Sequence, residues 1–264
     1  MKTRVITAVV ALIIFVPLLV IGGMPLLILT LAMAVVAMSE ILRMKHRFFV
    51  SAEALLSFVG VIVITLPKST WQDMPFNING SVIFYIIVFL LLLHTVLSRN
   101  HFNFDDAGTL ALTIVYVGTG FHYFFQADSK GIATVMFGML IVWITDSGAY
   151  MVGRAIGKNK LAPKISPNKT LEGSIGGSMV AIIVIPALFT IFHWLPDYNF
   201  IELLAFTAIL SIAGQLGDLI ESGFKRHYGV KDSGNILPGH GGILDRFDSM
   251  LIVMPMMAVL GILN

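Results

Sequence analysis

The 264 residues contain no cysteine, which removes disulfides and thiol-ligated metals from consideration. Charge is scarce. Only 12% of the residues are Asp, Glu, Lys or Arg, against about 25% in soluble globular domains. The net charge is +2, and there is no basic tail or low-complexity tract, so nucleic acid is not expected as a partner. No repeat of 20–50 residues is present. Segments of alternating polarity are also missing, which argues against a transmembrane β-barrel. What the chain has instead is apolar bulk, at 57% hydrophobic residues and a mean hydropathy of +0.89. So little polar surface cannot cover a water-soluble particle.

A helix needs roughly 17–25 apolar residues to cross the hydrocarbon core. Nine stretches qualify or nearly so: 4–21, 24–42, 50–66, 81–98, 107–125, 131–151, 171–193, 199–223 and 243–263. The expected fold is therefore all-α, a polytopic integral membrane protein of about nine transmembrane helices. The basic start Met1-Lys-Thr-Arg lacks a following small-residue cleavage site, so the first stretch reads as a span and not as a signal peptide. Gly22, Gly23, Met24 and Pro25 leave room only for a tight hairpin after it. With the N-terminus cytoplasmic, 14 Lys and Arg fall in cytoplasmic segments and two, Lys68 and Lys130, on the other side. That separation follows the positive-inside rule and puts the C-terminus outside. Trp71 and Phe76, in the external loop 67–80, suit interfacial anchors. Residues 1–105 read as a membrane scaffold, in which Glu40 and Glu53 are span-boundary acids solvated at the interface. Residues 106–264 read as the catalytic helices, with cytoplasmic loops at 152–170 and 224–242.

Ionisable residues inside spans cost roughly 2.5–3.5 kcal/mol each, so they mark working positions. Asp146 lies near the cytoplasmic end of the sixth span. Asp218 and Glu221 lie near that end of the eighth, and Asp245 and Asp248 open the ninth. Each i, i+3 pair shares a helical face. Carboxylates gathered at one depth repel unless something positive intervenes, and Mg²⁺ is held by one or two carboxylates with waters and phosphate oxygens. The competing reading is a salt-bridge network with Lys225 or Arg246. The metal reading is preferred for Asp218, Asp245 and Asp248, while Glu221 and Asp146 are divided between the two.

The loop 157–170 carries four lysines, of which Lys158, Lys160 and Lys164 satisfy the positive-inside rule without further explanation. Lys169 differs, because Ser166-Pro167 reads as a helix N-cap followed by its first turn, and a helix N-terminus beside a lysine favours phosphate. Gly153-x-x-x-Gly157 and Gly173-x-x-x-Gly177 are patterns for close helix approach. Farther on, Pro238-Gly-His-Gly-Gly242 is rich in bare backbone, whose N–H groups suit an anion. Acids, cations and amides at one cytoplasmic mouth suit phosphoryl-type transfer, where positioning and charge neutralisation dominate.

Ser222, Lys225, Arg226, Lys231, Asp232, Gly234, Pro238, His240, Gly241, Gly242, Asp245, Arg246 and Asp248 together fill a recognisable pattern. It closely resembles the signature of the phosphatidate cytidylyltransferases, or CDP-diacylglycerol synthases. Asp146-Ser-Gly-Ala-Tyr, Ser166-Pro-Asn-Lys-Thr-x-Glu-Gly and Gly217-Asp218-x-x-Glu221-Ser222 also look like that family, so the motifs cover about residues 140–250. The resemblance implies that CTP and phosphatidic acid give CDP-diacylglycerol and pyrophosphate with Mg²⁺. It also implies a homodimer in a bacterial inner membrane, with the active site facing the cytoplasm and membrane lipids around it. Asp218, Asp245 and Asp248 would hold the metal, with Glu221 and Asp146 as further candidates. Lys169, Lys225, Arg226 and Lys231 would neutralise the substrates. Ser222, Arg246 and His240 would join them in substrate binding, although Arg246 also suits orienting its neighbouring acids, and His240 and Asp232 bracing the loop. A CDP-alcohol phosphotransferase would need an Asp-Gly-x-x-Ala-Arg motif that is absent. A transporter would need polar residues near mid-membrane and paired broken helices.

Overall fold

The computed structural model describes residues 2–72, 74–75 and 78–263, with side chains from residue 6 onward. Phe76, expected as an interfacial anchor, lies outside the described residues. The chain divides into two compact units, one of residues 1–126 with 232–246 and one of 127–231 with 247–264.

The first unit is built on α1 (Lys2–Ile21), α2 (Gly23–Met44), α3 (Ala52–Thr65), α4 (Gly80–Leu97) and most of α5 (Phe104–Ser129). The hairpin between α1 and α2 turns on Gly22 and Gly23, at φ of 65° and 55°, a backbone region that favours glycine. Ser51 caps α3 by accepting from Ala54 N, and Asn79 caps α4 by accepting from Val82 N. At the ends of these helices Lys45 and Arg47 pair with Asp106, and Arg47 and His94 flank Glu53. Glu53 is thus not a solvated boundary acid. It is buried between Arg47 and His94, and Glu40, described below, is buried too.

The second unit holds α6 (Ile132–Ile156), β1 (Lys160–Ala162), β2 (Ser166–Thr170), α7 (Leu171–Ile191), α8 (Phe200–His227) and α10 (Met250–Val259). Strands β1 and β2 pair antiparallel, Lys160 opposite Thr170 and Ala162 opposite Ser166. Ser166 therefore does not cap a helix, contrary to expectation. Thr170 does, its hydroxyl accepting from Gly173 N. A capping box at Asn199 and Glu202 starts α8, and Lys225, Arg226 and His227 close it, where cations complement the helix dipole. The expected glycine packing is present. A side chain at Gly177 would strike the Thr145 carbonyl on α6, and one at Gly173 would strike that of Ala149.

Among the described residues, six helices (α2, α4, α5, α6, α7 and α8) are long and apolar enough to cross a membrane. Shorter apolar helices at Ile6–Ile21, Ala52–Thr65 and Met250–Val259 occupy the three remaining expected stretches. The ninth stretch is divided. A short α9 (Leu244–Phe247) precedes a turn, and α10 begins only at Met250. Large apolar side chains stand exposed along these helices, among them Ile13, Ile28, Ile183 and Ile212. Such a surface suits a polytopic membrane protein, since lipid tails are as apolar as the side chains.

Candidate active site

The acids of the second unit are assembled by helix packing. Gly217 on α8 lies so close to the backbone of Asp248 and Ser249 that an added Cβ would come within 2.8 Å of the Asp248 carbonyl oxygen. That approach puts Asp218, the next residue, within electrostatic reach of Asp248, and Asp146 on α6 interacts with both. Asp248 Oδ1 accepts from Ser249 N at 2.7 Å, and Ser222 Oγ donates to Asp218 Oδ1 at 3.3 Å.

Lysines pair with two of the acids on α8. Lys169 Nζ lies 2.5 Å from Asp218 Oδ2, and Lys225 Nζ lies 2.5 Å from Glu221 Oε2 one turn back on α8. The β-hairpin and the Thr170 cap hold Lys169 there, while Glu172 in the first turn of α7 accepts from Lys158 N and Asn159 N. Glu221 is fully buried, so its pairing with Lys225 favours the salt-bridge reading for that residue. Arg226 reaches the carbonyls of Ile165 and Val230, bracing two loops. Lys231 is exposed.

A cavity of about 590 Å³ opens among these elements, lined by Asp146, Arg154, Lys169 and Asp218 together with Tyr150 and Asn168. Below it a polar ladder crosses from α7 to α8 and α6. Ser174 Oγ donates to Gln215 Oε1 and Gln215 Nε2 to Ser178 Oγ, while Ser178 meets Ser211 and Thr145 donates to Ser211. A second, apolar groove of about 290 Å³ between α7 and α8 shares Leu161, Ser174 and Gln215 with the cavity. Sequence reasoning missed this ladder, because Ser and Gln among apolar residues carry no motif.

Asp245 belongs to the first unit. Its Oδ2 accepts from Ser233 N and Ser233 Oγ, both at 2.9 Å, and from Gly242 N at 2.8 Å. From the glycine-rich segment Pro238–Gly242, the amide of Gly242 thus holds a carboxylate, and the amides of Ile243 and Leu244 just beyond it hold another. Both anions are carboxylates of this chain, since Ile243 N and Leu244 N donate to Glu40. Arg246 Nε donates to the His240 carbonyl and ties the turn back on itself. Glu40 itself escaped sequence reasoning.

Carboxylates are the donors that a hard divalent cation takes, and Asp146, Asp218 and Asp248 lie within electrostatic reach of one another. Among the described residues no three His, Asp or Glu side chains stand together in a metal-binding arrangement, however. Asp218 pairs with Lys169 in this arrangement.

The model of the cytidylyltransferase family matches residues 2–263 of the chain. The chain belongs to that family. It is 47% identical over 264 residues to the phosphatidate cytidylyltransferase of Staphylococcus saprophyticus, with 98% of each chain covered. To the proteins of that name from Staphylococcus aureus and Staphylococcus epidermidis it is 48% and 47% identical, again with 98% of each chain covered. The expected family is thereby shown over nearly the whole sequence, including the first 105 residues, where no motif had been read.

Proposed function

We propose that this family member transfers the cytidylyl group of CTP to phosphatidic acid at the cytoplasmic membrane face, giving CDP-diacylglycerol and pyrophosphate. The observation that carries the reading is the junction of a charged cavity with an apolar groove. One receives phosphate groups beside Lys169 and Arg154, and the other receives a hydrocarbon chain between α7 and α8. Only an amphiphile with an anionic head uses both.

The lipid phosphate is already anionic at neutral pH, so no strong general base is required. One of its oxygens bonds to the α-phosphorus of CTP while the bond from that phosphorus to the bridging oxygen breaks, and pyrophosphate leaves with the electron pair. Lys169, Lys225 and Lys231 neutralise the phosphates, and Arg226 ties the turn before Lys169's strand to the loop that carries Lys231. Ser222 orients Asp218 through its hydroxyl. Asp218, Asp248 and Asp146 would hold Mg²⁺, which supplies charge neutralisation for the leaving group when bound; Asp245 remains the signature's further candidate. Gln215 and Ser174 stand where the glycerol esters would lie, and the acyl chain would run past Met179 and Ile212. Homodimerisation in a bacterial cell membrane completes the reading.

The test is direct. Purified protein in detergent, given CTP, phosphatidic acid and Mg²⁺, forms CDP-diacylglycerol and pyrophosphate in equal amounts. Absence of both products from well-folded protein rejects the proposal.

A further inference from the structure

Glu40 lies in the last two turns of α2, 4% exposed. Its Oε1 accepts from Ile243 N at 2.8 Å, and its Oε2 accepts from Leu244 N at 2.9 Å and Ser233 Oγ at 3.0 Å. All three donors sit about two hundred residues away in sequence, in the segment that also carries His240, Asp245 and Arg246. The segment is shaped to admit the carboxylate. A Cβ at Gly234 would come within 2.7 Å of Glu40 Oε1, and one at Gly242 would overlap it. Gly241, at φ 86°, leaves the corresponding space for the Asp245 carboxylate. Ser233 Oγ stands between the two acids, 3.0 Å from Glu40 and 2.9 Å from Asp245, and its one proton is shared between them.

We propose that Glu40 is a positioning residue for cytidylyl transfer, anchoring the Ser233–Asp245 segment and aiming Asp245 through the shared Ser233 hydroxyl. An amide cannot replace it. Gln would set an N–H₂ group, which accepts nothing, against either the Ile243 or the Leu244 amide. Asp keeps the charge but withdraws it by one methylene. The proposal rests on the cytidylyl-transfer reading for its kinetic consequences only, since the anchoring is measurable without turnover.

The experiment compares wild type with Glu40→Gln, Glu40→Asp and Ser233→Ala by hydrogen exchange and steady-state kinetics. In Glu40→Gln, peptides covering 232–246 lose protection by about tenfold or more while those of α7 and α8 are unchanged, as expected of local opening. Its kcat falls by about tenfold or more, with KM for CTP and phosphatidic acid within about twofold, the pattern for lost transition-state positioning. Ser233→Ala shifts both readouts in the same direction by less, Glu40→Asp recovers part of the kcat, and the Glu40→Gln/Ser233→Ala double variant is no worse than Glu40→Gln alone. Wild-type protection in Glu40→Gln, or lost protection with unchanged kcat, overturns the proposal. If Glu40→Gln does not fold, Ser233→Ala decides, and its behaving as wild type in both readouts is equally fatal. If wild type itself fails to turn over, the functional reading falls while the exchange result still judges the anchor.

Discussion

Among single residues, Asp218 and Asp248 carry the sharpest expectation. Asp→Asn at either keeps shape and removes a charge that the proposed Mg²⁺ would meet. Turnover should drop by orders of magnitude, because metal stabilisation of a transferring phosphoryl group is worth several kcal/mol and about 1.4 kcal/mol is tenfold in rate. Mg²⁺ with CTP should raise the melting temperature of wild type, and that rise should vanish in both variants. Full activity of either variant, or of wild type in chelator, would reassign these acids to structural pairing. Lys169→Ala should also lower activity, by about one to two orders of magnitude, since it removes both a phosphate neutraliser and the partner of Asp218. These residues were readable in the sequence because an acid within an apolar span is conspicuous and the signature spaces them. Glu40 was not. A glutamate near a helix end looks like a solvated boundary acid, and its partners at Ser233, Ile243 and Leu244 are remote in sequence.

At the scale of helices, the contact between α6 and α7 depends on small residues. Gly177→Leu would drive a side chain into the Thr145 carbonyl and Ala149. Overpacking of this kind costs about 1–3 kcal/mol, and a thermal melt in detergent should show a clear drop, with Lys169 and Asp146 displaced and activity reduced alongside. The groove between α7 and α8 makes a different demand. Ala208→Trp should fill it and raise KM for dioleoyl phosphatidic acid, leaving KM for CTP and for a dioctanoyl substrate nearly unchanged; equal effects on both lipids would place the acyl chain elsewhere. The apolar helices were foreseen from run length alone, and the glycine spacing foretold the tight crossing. The β1–β2 hairpin was hidden because Pro163 and Pro167 interrupt two short, polar segments that show no alternation. The division of the last stretch escaped for the opposite reason, as hydropathy does not register a turn at Asp248 and Ser249.

For the molecule as a whole, the uneven distribution of lysine and arginine makes the sidedness testable. The chain has no cysteine, so single introduced cysteines report cleanly. A cysteine at Asn235 should react with an impermeant reagent only from the cytoplasmic side, and one at Ser69 only from the other; both positions are exposed. Labelling of the two from one side would break the orientation inferred from the positive-inside rule.

The first unit is discontinuous in sequence, closing only when residues 232–246 join residues 1–126. Synthesis proceeds at about 5–20 residues per second, so Glu40 leaves the ribosome roughly 10–40 s before Leu244 is made. Throughout that interval α2 carries a carboxylate whose three donors do not yet exist. A chain ending before residue 232 should therefore hold its first unit less firmly than the full chain does, which a thermal melt of the two in detergent would read as a lower melting temperature for the shorter one.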